Sequence, residues 1–72
     1  MQHLNIRQQR LSVGLSQLAL ARRSQVSRYR LCNSEAGGGS LNADELERIN
    51  EAIQAEARRL RDRLARLEAI EA

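Results

Sequence analysis

Seventy-two residues with twelve arginines, no lysine and a single aromatic side chain allow one small domain whose core is built from Leu, Ile, Val and Ala. One cysteine (Cys32) and one histidine (His3) exclude a disulfide framework and a zinc cluster, and neither a membrane-length apolar run nor a signal peptide is present, so a cytoplasmic protein is expected. The net charge of +3 is uneven: residues 1–41 carry six arginines and one acid, net +5, and residues 42–72 six arginines and eight acids, net −2.

Helix starts punctuate the chain. Asn5 with Gln8 opens a first helix near 5–13, which Gly14 ends. Leu15-Ser16 with Leu20 opens a second over 17–24, and Val26-Ser27 with Leu31 a third over 28–35. In each, a serine hydroxyl caps an orphan N–H while the flanking apolar pair staples the incoming chain to the first turn. Gly37-Gly38-Gly39 is the flexible connector to Leu41-Asn42 with Leu46, where Glu45 completes a reciprocal capping box and a long helix runs from about 43 to 70. No sustained period-two alternation marks a strand, so the fold class expected is all-α.

Helices 2 and 3 are separated by about three residues, and Leu20, Ala21, Val26 and Leu31 supply small apolar contacts between them. At 100° per residue, Arg28, Cys32, Tyr29 and Asn33 fall at about 0°, 40°, 100° and 140°, with Leu31 and Ser34 pointing away. That face offers a guanidinium, a phenol and an amide to base edges, with no acid to repel phosphate. Arg28 is best placed for a bidentate contact with guanine. Gln17, in the first turn of helix 2, stands where a helix N-terminus meets a phosphate.

The stretch "IRQQRLSVGLSQLALARRSQVSRYRLCNSEAG" resembles the phage-repressor (Cro/cI, XRE-type) helix-turn-helix family over about residues 6–53, through Arg10, "GLSQ" at 14–17, Leu20-Ala21, Val26-Ser27, Leu31 and "EAG" at 35–37. The resemblance implies a lambda-repressor-like helical bundle in which Gln17, Arg28, Tyr29 and Asn33 contact operator DNA, Ser27 and Arg30 lie near its backbone, and Arg10 and Glu35 form a structural ion pair. It also implies a left-handed turn at Gln25, where the family usually has Gly, at a cost of about 1 kcal/mol. Ser34 stands where an apolar residue is usual, which loosens the anchoring of helix 3.

In the last helix, Leu46, Ile49 and Ile53 suit packing on the first three helices. From Ala57 the spacing becomes a short heptad seam, Ala57/Leu64 and Leu60/Leu67, with Glu56 and Arg63 at g and Arg61 and Glu68 at e. Ile53, Ala57, Leu60, Leu64 and Leu67 are therefore expected at a dimer interface. Charge pairing suits a parallel and an antiparallel arrangement alike. A core this thin needs such support, most simply a two-fold dimer.

The organisation expected is a DNA-binding part, residues 1–41, followed by a long helix, 42–72, that packs on it and then dimerises. The function expected is a homodimeric repressor that binds double-stranded DNA at an inverted-repeat operator, of the phage repressor, controller protein or anti-CRISPR-associated autoregulator type. Two alternatives are an antitoxin or adaptor whose last helix grips another protein, and a non-specific nucleic-acid binder. Nothing in the sequence suggests an enzyme, a cofactor or a metal.

Overall fold

The computed structural model describes residues 5–71, which form four α-helices: α1 (Ile6–Ser12), α2 (Gln17–Ser24), α3 (Arg28–Glu35) and α4 (Ala43–Glu71). The architecture is all-α, and His3 lies outside the described residues. Every start is capped locally. Asn5 Oδ1 accepts from Gln8 N–H (2.8 Å), Ser16 Oγ from Ala19 (3.0 Å), Ser27 Oγ from Arg30 (3.1 Å) and Asn42 Oδ1 from Glu45 (2.8 Å). The Gln8 and Glu45 side chains accept in return from the N–H groups of Asn5 and Asn42, so the outer helices carry full capping boxes.

Two helix ends use glycine for the same reason. After α1 the N–H groups of Gly14 and Leu15 bond back to Leu11 and Arg10, and after α3 those of Gly37 and Gly38 bond back to Ser34 and Asn33. This double bond pattern needs a left-handed residue just past the helix, and Gly14 (φ 77°) and Gly37 (φ 83°) provide it. α2 ends differently. Gln25 takes φ 58°, the left-handed conformation expected there, without glycine's freedom. Arg48 Nη1 donates to the Gln25 carbonyl (3.2 Å), tying the strained turn to α4.

The core draws on all but α1: Leu15, Leu20, Ala21, Val26 and Leu31 meet Ile49, Ala52 and Ile53 of α4, with Ile6, Val13, Ala19 and Leu41 at its edge. Leu20, Leu31 and Ile49 are fully enclosed, each contributing about 1.5–3 kcal/mol through burial. The two segments either side of residue 41 thus share one core. Two expectations for α4 are corrected here. Ile53 is 5% exposed and belongs to the protomer's own core, so the available seam begins at Ala57. Leu46 is 45% exposed, and Ala52 takes the core position. The physical reason is helical phase: Leu46 lies to one side of the face formed by Ile49, Ala52 and Ile53. It overhangs a cleft of about 670 Å³ between α1 and α4, with Ser34 of α3 in its lining.

A helix of 29 residues is about 43 Å long, close to the 48 Å length of the whole molecule. Its last part runs clear of the other helices. Residues 61–70 are all exposed, Leu64, Leu67 and Ile70 by 51%, 53% and 80%.

Candidate nucleic-acid interface

The surface of α3 is set by what holds its inner side. Leu31 is wholly buried, which turns Arg28, Tyr29, Cys32 and Asn33 to solvent. Tyr29 is 78% exposed. Among the described residues the side chains of Arg28 and of Arg22, at the end of α2, have no ion pair or hydrogen bond. Asn33 leans over the connector, its amide against Gly38 and Gly39, where a Cβ would come within 2.7 Å and 3.1 Å of it. The connector glycines thus leave this amide room. Ser27 serves as the cap of α3.

The one acid before residue 42 is withdrawn from this surface. Glu35 is 4% exposed at its side chain and receives two hydrogen bonds from Arg10, Nε to Oε2 and Nη2 to Oε1, each 2.9 Å. Arg10 Nη1 also donates to the Leu15 carbonyl (2.9 Å), so one guanidinium ties α1 to both α3 and the loop before α2. Burial pushes the Glu35 carboxyl up, but the hydrogen bonds from Arg10 and Gln17 and the charges of Arg10 and Arg7 outweigh it, and the group stays ionised below its ordinary range.

Two residues expected to face DNA are otherwise engaged. Gln17 Nε2 donates to Glu35 Oε1 (3.2 Å), which points its side chain inward to the ion pair. Arg30, expected beside the phosphate backbone, instead grips Glu45 of α4 with both arms of its fork, Nε to Oε2 at 2.6 Å and Nη2 to Oε1 at 2.5 Å. With the hydrogen bond from Arg30 and that from the Asn42 N–H, the Glu45 carboxyl is held at about 2. Arg30 is a strut between α3 and α4.

Three further features escaped sequence reasoning. Arg23 pairs with Glu56, which also receives Arg59 at 3.2 Å, joining α2 to the middle of α4. This takes Glu56 from the interhelical role that its heptad position implied. Ser24 is buried and donates to the Leu20 carbonyl (2.7 Å), a bond within its own helix. Arg22, exposed beside the turn, extends the basic surface and was marked only by its charge. Among the described residues no group of His, Cys, Asp and Glu could hold a metal, and no helix is long and apolar enough to cross a membrane.

No family model, no curated protein and no solved structure matches this chain.

Proposed function

We propose that the chain is a sequence-specific DNA-binding transcriptional regulator with a lambda-repressor-like helix-turn-helix, acting as a homodimeric repressor in the cytoplasm. The observation that carries this reading is the removal of all negative charge from the surface of α1–α3: Glu35, the only acid among residues 1–41, lies buried under Arg10, while Arg22 and Arg28 stand free and exposed. A polyanion meets there a positive, acid-free face whose central rod is eight residues long.

In this reading α3 lies in the major groove. Arg28 makes a bidentate contact with guanine worth about 1–3 kcal/mol of discrimination, and Tyr29 and Asn33 reach neighbouring base edges or sugars. Arg22 and the Ser27 hydroxyl lie towards the phosphates. Gln17 contributes through its backbone at the start of α2, because its side chain serves Glu35. Two protomers joined through α4 would place the two copies of α3 about 34 Å apart, on an inverted repeat. Repression then follows from occlusion of a promoter.

The test is selection of bound duplexes from random sequence, followed by competition of the recovered site against random DNA over a salt series. A palindromic consensus with half-sites about one turn apart is expected. Equal affinity for consensus and random duplex would reject specific readout in favour of non-specific binding. The exposed Leu64, Leu67 and Ile70 also suit a second reading, in which α4 grips a different protein. A purified chain that remains monomeric at micromolar concentration favours that reading.

A further inference from the structure

The connector after α3 holds three glycines in a row, and the backbone explains only the first. Gly37 takes φ 83°, whereas Gly38 and Gly39 take no positive φ. An alanine at either place would lose less chain entropy on folding, so glycine there has another reason. We propose that Gly38 and Gly39 are positioning residues for base readout: they form a seat of bare backbone on which the Asn33 carboxamide lies, held for a two-point contact with adenine. This deepens the DNA-binding reading above and rests on it.

Three observations carry the proposal. The first is that the seat is fixed, although three glycines in sequence mark a flexible link. The Gly37 N–H donates to the Ser34 carbonyl (3.0 Å) and the Gly38 N–H to the Asn33 carbonyl (2.9 Å), which fastens the start of the connector to the last turn of α3. The second is close approach. A Cβ on Gly38 would stand 2.7 Å from Asn33 Oδ1, and one on Gly39 would stand 3.1 Å from Asn33 Nδ2, so both ends of the carboxamide rest against residues without side chains. The third is that the carboxamide is unspent. Among the described residues it makes no hydrogen bond within the protein, and Asn33 is exposed one turn beyond Tyr29 on the same side of α3.

The chemistry names the base. A carboxamide offers an acceptor and a donor side by side, and in the major groove adenine presents the matching N6–H and N7. Guanine presents two acceptors there, which suit the paired donors of Arg28. Ordering a loose side chain at an interface offsets part of such a contact, and a carboxamide already laid against fixed backbone loses less rotamer freedom when the base arrives. A methyl group at Gly38 would lift Oδ1 off the seat. What moves is the far end of a flexible side chain, so the reading group shifts and the fold is left alone.

The first test uses the free protein: nuclear Overhauser contacts between the Asn33 side-chain amide protons and the α-protons of Gly39. They are expected in the parent and weakened in Gly38→Ala, and their absence from the parent overturns the seat whatever the protein binds. Selection of bound duplexes from random sequence then gives the base preferences of each variant. Asn33→Ala is expected to lower the preference for one A·T pair in each half-site by roughly 5- to 150-fold. Gly38→Ala should reduce the preference at that same pair, and Gly39→Ala should reduce it less, following the closer approach at Gly38. In both, the choice of guanine is kept and the melting midpoint is not lowered. Adding Gly38→Ala to Asn33→Ala should bring no further loss, because the seat acts only through the amide. A Gly38→Ala profile identical to the parent's, or an equal loss of affinity for every sequence, overturns the proposal and leaves the DNA-binding reading standing; the second result is what a stiffened connector would give. A loss in Asn33→Ala at a pair other than A·T overturns the assignment of adenine. A parent that selects no sequence rejects the regulator reading and this proposal together.

Discussion

Replacing Glu35 by Leu tests the claim that the acid of the basic half holds the fold together. The substitution leaves Arg10 buried, with its side chain 8% exposed, and removes the two bonds of 2.9 Å that neutralise it together with the bond from Gln17. Hydrogen bonds to charged groups are worth about 1.5–3 kcal/mol each, and breaking one side of a buried pair costs about 3–5 kcal/mol. For a chain this size, with a total stability of about 4–11 kcal/mol, that is a large fraction of the whole. The helical signal at 222 nm, followed with temperature at fixed protomer concentration, should show a midpoint lowered by at least about 12 °C. The double change Arg10→Met, Glu35→Leu removes both charges and should recover most of the loss, falling short by the bond from Arg10 to the Leu15 carbonyl. A single variant within about 1 kcal/mol of the parent, or a double variant as unstable as the single, would refute the reasoning.

Further consequences can be measured on the same material. Gln25→Gly relieves a left-handed residue that costs about 1 kcal/mol, and chemical denaturation should show a gain of about 0.5–1 kcal/mol; a loss would mean that the turn does not adopt φ 58° in solution. The Glu45 carboxyl, held at about 2 in the fold against 4.5 when free, adds stability that is complete above pH 4.5 and disappears as the pH falls towards 2. Denaturation from pH 5 to pH 2 should therefore show a decline that Glu45→Gln makes shallower. Arg28→Ala should lower the preference for the selected duplex over random DNA by roughly 5- to 150-fold, from the 1–3 kcal/mol of one bidentate contact, with the melting midpoint unchanged. Undiminished preference would remove Arg28 from the reading position. Arg30→Ala should behave in the opposite way, lowering the melting midpoint more than it changes discrimination, because its guanidinium is bound to Glu45.

Where the helices begin and end was written in the order of the residues. Caps and glycine stops act within five residues, and Asn5, Ser16, Ser27, Asn42 and Gly14 do in the structure what their local chemistry requires, while Gly37, expected only as part of the flexible connector, also stops α3. The apolar period likewise marked Leu20, Leu31 and Ile49 as interior. Which polar groups remain free to act emerged only from the packing of the helices. Arg30 and Glu45 are 15 residues apart, Gln17 and Glu35 are 18 apart, and Arg23 and Glu56 are 33 apart. Spacing along one helix cannot reveal such pairs, because an ion pair between helices depends on how the helices cross. Leu46 shows the same limit: its spacing to Ile49 and Ile53 suggested the core, yet it stands at the edge of that face, over the cleft between α1 and α4. Local geometry and period were legible because they repeat at short range, whereas the charges left over for a partner are a remainder known only after the fold has made its own pairs.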